Sequence, residues 1–236
     1  MELKDRIKQV QARIAAAALA AGRDPAEITL CAATKVQTDD TIRAAIAAGV
    51  TVCGENRVQE MTAHLAAGAY AGAKLHFIGH LQTNKVKQVV GKVDLIQSVD
   101  SERLLRAIDK EAAKQGIIQN ILLEVNIGEE ASKSGFGADD ILPLMEKISE
   151  FSNICIKGLM AIPPISHNSG ENLKFFQKMF HLTVDIKKKI DDNVKVDCLS
   201  MGMSGDFADA IASGSTMIRV GTAIFGARYY AKDSSK

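Results

Sequence analysis

In the stretch CAATKVQ, Cys31 to Gln37, one lysine directly follows a run of small and apolar residues that reads as a buried strand. A lysine at such an exit either marks the strand's end in solvent or presents its amine at the rim of a pocket. In a partly dry pocket the ammonium is poorly solvated and its pKa falls. More of it is then the neutral amine that attacks an aldehyde. Far along the chain, two glycine-containing turns, SMGMSGD (200–206) and RVGTAIFG (219–226), carry a second chemistry. Gly202 and Gly205 permit close backbone approach to a ligand, and Gly221 and Thr222 offer N–H groups to the same corner. Ser204 is expected to cap a helix running to Ser213, with Asp206 in its first turn. Paired turns of this kind bind phosphate through backbone N–H groups and a helix start. A lysine amine opposite a phosphate corner suits pyridoxal 5′-phosphate (PLP), or a phosphosugar handled by a Schiff-base aldolase.

These residues need a scaffold that brings them together, and the hydrophobic rhythm supplies one. Apolar runs at 28–34, 49–54, 75–79, 94–99, 120–126, 154–162, 194–202 and 216–221 read as strands. Helical patterns such as DDTIRAAIAAG (39–49), SERLLRAIDKEAAKQG (101–116), DDILPLMEKISEF (139–151) and ENLKFFQKMFHLTVDIKKKI (171–190) lie between them. Ahead of the first strand, Leu3, Ile7, Val10, Ile14 and Ala18 recur at helical spacing, with Gly22 and Pro25 as stop signals. The pattern predicts an α/β fold, a single (β/α)8 TIM barrel over 1–236 with an extra N-terminal helix. A doubly wound open sheet is the alternative, because periodicity does not show closure. In a barrel, the working residues sit at the C-terminal ends of strands. There the sequence places Lys35, GENR (54–57), GHLQTNK (79–85), SVDS (98–101), NIGEEASKSGF (126–136), MAIPP (160–164) and the two glycine turns.

Composition narrows the function classes. Hydrophobic residues make up 47% and charged residues 24% of the 236, with a formal net charge of +1, so no global field draws the chain to nucleic acid or anionic membrane. No apolar run is long enough to span a bilayer, and the charged start MELKDRIKQVQARI lacks the centre of a signal peptide, so a cytoplasmic location is expected. Cys31, Cys53, Cys155 and Cys198 lie far apart without CxxC spacing and read as reduced, buried residues. His76 and His80 flank the third strand without a third ligand at metal spacing, so no metal is expected. Lys187, Lys188 and Lys189, followed by Asp191 and Asp192, read as a solvated helix face. Lys133 falls in a polar loop, as a solvent lysine within reach of a bound cofactor.

The motifs AATK (32–35), GENRVQE (54–60), HFIGHLQTNK (76–85), SKSGF (132–136), GLMAI (158–162), SMGMSGDFADAI (200–211) and GSTMIRVGTAIFGAR (214–228) occur in order. Together they closely resemble the pyridoxal phosphate homeostasis protein family, also called the proline synthase co-transcribed homologues. The resemblance covers essentially the whole chain, and that family is similar to the barrel domain of alanine racemase, the fold-type III group of PLP proteins. It implies that Lys35 carries PLP as an internal aldimine and that Ser200, Gly221 and Thr222 hold the phosphate. It further implies that Met201 and Asn56 line the ring and that Arg219 faces the pyridine nitrogen. Cys53 departs from the family, which usually has phenylalanine before Gly-Glu-Asn; this bears on the packing beneath Asn56.

The resemblance implies intracellular PLP homeostasis, by buffering the cofactor or delivering it to apo PLP-dependent enzymes, without robust catalysis. The chain is expected to act as a monomer, with neither nucleic acid nor membrane as a partner. A guanidinium cannot take a proton, so Arg219 would leave the ring nitrogen neutral and the electron sink weak. The alternative is an amino-acid racemase of alanine-racemase type, which needs an acid/base group on each face of the substrate carbon. In those enzymes the second group is a tyrosine from an additional β-domain. The sequence ends at Lys236, soon after the eighth strand, so no such domain is expected, and Tyr70, Tyr229 and Tyr230 fall outside the strand-end motifs. A phosphosugar aldolase places its lysine less naturally on the first strand.

Overall fold

Each of the eight apolar runs forms a strand: β1 (Thr29–Ala33), β2 (Val52–Glu55), β3 (Lys74–Phe77), β4 (Leu95–Val99), β5 (Gln119–Val125), β6 (Ile154–Ala161), β7 (Val194–Ser200) and β8 (Met217–Val220). The structure is a computed structural model and describes residues 1–130, 132–165, 168, 170–188 and 194–226. All neighbouring strands pair in parallel, in chain order, and β8 returns to β1 with Arg219 level with Cys31. Closure excludes the open sheet. Among the described residues, no helix is long and apolar enough to cross a membrane.

Helices cover the outside. In α1 (Leu3–Ala20), Ile7, Val10, Ile14 and Ala18 form the predicted buried stripe, which packs against α2 (Asp39–Ala47), α7 (Phe207–Ala212) and α8 (Thr222–Phe225). The helix thereby seals the seam where β8 meets β1. Helix α4 (Glu102–Gln115) shows how local sequence sets its limits. Ser101 accepts a hydrogen bond from the Leu104 N–H, and Gly116 ends the helix at φ +65°. Leu104, Leu105, Ile108 and Ala112 form its buried stripe.

Three segments depart from the sequence expectation. The stretch 139–151 breaks into short pieces around α5 (Ile141–Met145), where Pro143 removes a backbone donor. The crossover from β3 to β4 is a 3-10 helix, Thr83–Gln88, while α3 (Val58–Ala66) forms directly after the GENR motif. The helix expected from Ser204 to Ser213 begins later: α7 starts at Phe207, and Asp206, not Ser204, occupies the cap position. Lys187 and Lys188 are exposed at the end of α6 (Leu173–Lys187), as expected of a solvated face. Lys189, Asp191 and Asp192 lie outside the described residues.

Strand alternation divides the core in two. Cys31, Val52, Leu95, Leu122, Met160, Cys198 and Met217 fill the barrel's interior, and the larger cluster fills the layer between strands and helices. All four cysteines are buried free thiols, and burial pushes Cys31, Cys53 and Cys198 up to about 12. They are inert.

Candidate functional site

At the C-terminal end of the barrel the strand ends surround a cavity of about 500 Å³, and Lys35 stands in its wall. The lysine sits in a tight turn, in which the Gln37 N–H donates to the Thr34 carbonyl at 3.1 Å. Its neighbour Val36 takes φ +59°, a left-handed conformation unfavourable for a β-branched residue, at a cost on the order of 1–3 kcal/mol. The GENRVQE segment holds this turn from both sides. Thr34 Oγ1 donates to Glu55 Oε1 at 2.5 Å, and the Val36 N–H donates to Glu60 Oε2 at 3.0 Å. Glu55 is fully buried behind the sheet, and burial pushes its carboxyl up while the Thr34 bond opposes this. Two carboxylates thus fix the residues on either side of Lys35.

Asn56, next in the same motif, also lines the cavity. It is pressed against Gly79, where an added Cβ would fall 2.2 Å from the Asn56 carbonyl oxygen, so only glycine allows the approach. Asn56 Oδ1 is buried without a hydrogen-bond partner. A buried amide oxygen left open at a cavity wall has acceptor capacity to spare for a ligand.

The floor is polar and charged. Arg219 is 5% exposed, and its Nη1 donates to the Ser200 carbonyl at 2.9 Å and to Ser200 Oγ at 2.6 Å, while Nη2 donates to the Ala161 carbonyl at 2.9 Å. Burial lowers its pKa, yet a guanidinium starts so high that it remains a cation and a pure donor. Glu124, inward-facing on β5, lines the same floor, and burial together with Asp100 pushes it up to about 7 against the pull of Arg219. Lys133 reaches the cavity from the loop after β5, donating to the Pro163 carbonyl at 3.1 Å and ion-paired with Glu130. At the rim, His80 Nδ1 lies 3.0 Å from Asp100 Oδ2.

The fourth side is backbone. Gly202, at φ +94°, packs its α-carbon where a Cβ would meet the Ala210 methyl at 2.6 Å, and so lets the turn fold back onto α7. Asp206 ties the turn down, accepting from the Met203 N–H at 2.7 Å and from Asn172 Nδ2 at 3.0 Å. Ser204 and Gly205 then line the cavity together with Gly221 and Thr222. The N–H groups of Thr222 and Ala223 open α8 and have no partner within it.

Of the residues singled out from the sequence, Lys35, Asn56, Arg219, Gly221 and Thr222 come together around this cavity. Ser200 and Met201 do not. The Ser200 side chain points into the barrel, fully buried between Arg219 and Gln97, and is not part of the cavity wall. Met201 packs the other way, into the layer between strands and helices, and is not part of the cavity wall. Met203, Ser204 and Gly205 occupy the wall instead. Cys53 also faces the outer layer. Tyr70 is buried away from the cavity, and Tyr229 and Tyr230 lie outside the described residues. Sequence reasoning missed Glu124. Its signal was a carboxylate at an inward position of the otherwise apolar strand NILLEV.

Residues 6–229 match the family model of the alanine racemase N-terminal domain. The pyridoxal phosphate homeostasis protein of Aquifex aeolicus is 40% identical over 230 residues, spanning 98% of this chain and 100% of that protein. The chain belongs to the pyridoxal phosphate homeostasis protein family. A crystal structure of an unknown protein from Bifidobacterium adolescentis is 39% identical and superposes with a TM-score of 0.89, over 94% of either chain. PipY of Synechococcus elongatus, a structure with PLP bound, is 30% identical and superposes with a TM-score of 0.82, over 95% of this chain and 100% of that one. Within this family, GENRVQE has a physical meaning here: one glycine packs against β1 and β3, two carboxylates grip the Lys35 turn, and one amide faces the cavity.

Proposed function

We propose that this protein binds PLP in the cavity above the barrel and serves intracellular PLP homeostasis rather than robust catalysis. The observation that carries the reading is the composition of the cavity. Three cations, Lys35, Lys133 and Arg219, face one carboxyl, Glu124, beside an open amide oxygen and a turn of backbone donors. That set fits a molecule with a phosphate at one end and an aldehyde at the other. Bound PLP supplies that aldehyde and an electron-withdrawing ring. Lys35 Nζ is the amine that would hold the aldehyde carbon. The backbone at Ser204, Gly205, Gly221 and Thr222 would take the phosphate, and Asn56 Oδ1 would accept from a polar group of the cofactor.

Arg219 gives the site its restraint. Pinned as a donor by Ser200 and Ala161, it has no lone pair to take a ring proton and supplies none of the carboxylate chemistry that makes PLP a strong electron sink. No tyrosine among the described residues lines the cavity as a second acid/base. In this reading the protein works as a monomer in the cytoplasm, and apo PLP-dependent enzymes receive the cofactor. PLP-loaded protein reduced with borohydride should carry the pyridoxyl mass on the peptide containing Lys35, and loaded protein should activate an apo-enzyme. A label confined to Lys133 overturns the lysine assignment. Chiral inversion of amino acids at roughly 1–10³ per second overturns the non-catalytic reading.

A further inference from the structure

The polar side chains inside the barrel form a single line. Arg219 Nη1 donates to Ser200 Oγ at 2.6 Å, Ser200 Oγ donates to Gln97 Oε1 at 2.7 Å, and Gln97 Nε2 lies 2.9 Å from His76 Nδ1. All four residues are at most 5% exposed. The line runs in one direction only. A guanidinium has no acceptor, so Ser200 Oγ must accept from it and spend its own proton on Gln97. The Gln97 carbonyl therefore faces Ser200, which turns its NH₂ toward His76 Nδ1 and, at 3.1 Å, Met217 Sδ. An amide nitrogen only donates, so His76 Nδ1 accepts and the ring proton sits on Nε2. Burial keeps the ring neutral, lowering it to about 4, with Asp94 and Lys74 pulling in opposite directions. Arg219 lines the upper cavity, and His76 lines a lower one of about 340 Å³, so the line crosses the whole barrel.

We propose that Gln97 is a positioning residue which, from the middle of the barrel and through Ser200, fixes how Arg219 presents its guanidinium to the cofactor cavity. The proposal rests on the PLP reading of that cavity. Around the line the interior is apolar, with Cys31, Leu122 and Met160 as neighbours in the same cluster. The sheet fixes two of the guanidinium's acceptors, the Ser200 and Ala161 carbonyls, while the third, Ser200 Oγ, is turned toward Arg219 by its bond to Gln97. Without an acceptor at position 97, the Ser200 hydroxyl is free to rotate and its lone pair no longer tracks Arg219.

The test pairs Gln97→Met, which keeps the shape and removes the hydrogen bonds to Ser200 and His76, with Gln97→Glu, which keeps the acceptor for Ser200. On cofactor-free protein, long-range ¹H–¹⁵N NMR should show His76 as the Nε2–H tautomer in wild type, with its Nδ1 resonance displaced in Gln97→Met. On PLP-loaded protein, Gln97→Met should alter the visible absorption and release PLP about tenfold faster, the size of one lost charge-assisted hydrogen bond. Ser200→Ala should do the same, the double variant no more than the larger single, and Gln97→Glu should recover most of the wild-type spectrum. An Nδ1–H tautomer in wild type overturns the line itself. Additive effects of Gln97→Met and Ser200→Ala, or a folded Gln97→Met with wild-type spectrum and release, overturn the positioning role. Wild-type protein that takes up no PLP instead overturns the cavity reading on which the role depends.

Discussion

The two ends of the barrel are built from the same strands and treat charge in opposite ways. At the lower end, Lys157 Nζ pairs with Asp197 Oδ2 at 3.2 Å, and Asp94 Oδ2 accepts from the Leu75 N–H at 2.8 Å. Charges there satisfy one another or the backbone around a cavity of about 340 Å³. At the upper end, Asn56 Oδ1 has no hydrogen-bond partner, burial pushes the Glu124 carboxyl up, and Val36 is held in a left-handed conformation. Cations outnumber carboxylates in that cavity. Satisfied polar groups stabilise a fold, whereas unsatisfied ones beside stored strain wait for a ligand. The contrast marks the upper end as the candidate site without reference to any relative.

The largest expected effect tests that contrast directly. Lys35→Ala should abolish borohydride-dependent labelling and the visible absorption of the loaded protein, while Lys74→Ala at the lower end should leave both intact. Equal loss from the two would erase the distinction between the ends. Next in size is Gly221→Val. Gly221 has φ −115°, which valine tolerates, and a Cβ there would rest 3.4 Å from the Ala33 methyl, so the barrel should stay folded. The branched side chain would obstruct the backbone donors, and PLP release should accelerate on the order of 10²-fold, as for two lost charge-assisted hydrogen bonds. Circular dichroism checks the fold, and stopped-flow absorbance checks release.

A smaller effect concerns the raised carboxyl at the upper end. Burial pushes the Glu124 carboxyl from its ordinary 4.5 up to about 7 in the folded cavity, so the folded state holds its proton more tightly than the unfolded chain. Its contribution is fully present below pH 4.5 and is lost as pH rises through about 7. The swing amounts to at most about 3 kcal/mol. Glu124→Gln should flatten the stability profile of cofactor-free protein across that window, measured by urea denaturation. A profile unchanged by the substitution would show the carboxyl to be solvated. The smallest effect is at Val36, which is 56% exposed and gives up little packing when truncated. Val36→Gly should relieve the left-handed conformation and raise stability by about 1 kcal/mol, yet loosen the Lys35 turn and weaken PLP retention. Gain in both would mean that the strain serves nothing.

Much of this was legible in the chain. The eight strands fell within a few residues of the apolar runs, because a strand buried on both faces must be continuously apolar. Lys35, Asn56, Arg219, Gly221 and Thr222 were legible because each ends a strand or opens the loop after it, and a barrel gathers those positions. Ser200 and Met201 misled because the motif SMGM names four consecutive residues, while the pleat sends neighbours to opposite faces and only the chain beyond Gly202 turns back over the cavity. The start of α7 slipped from Ser204 to Phe207 because Asp206 accepts from Met203, a tertiary choice between two plausible caps.

By itself the sequence determined the rhythm of strand and helix, the buried stripe of α1 and the grouping of polar residues at one end of the strands. These depend on periodicity and on residue chemistry that neighbouring positions reveal. Tertiary structure alone decided that the sheet closes, since closure is the pairing of Cys31 with Arg219 across most of the chain. It decided as well that Glu55 and Glu60 clamp the Lys35 turn, that Glu124 meets Arg219 on one floor, and that Arg219, Ser200, Gln97 and His76 form one hydrogen-bonded line. The Glu60 contact comes from α3, and the others join the ends or interiors of different strands. The contacts made by strand residues depend on barrel register, and a single residue of slip would turn those side chains to the other face.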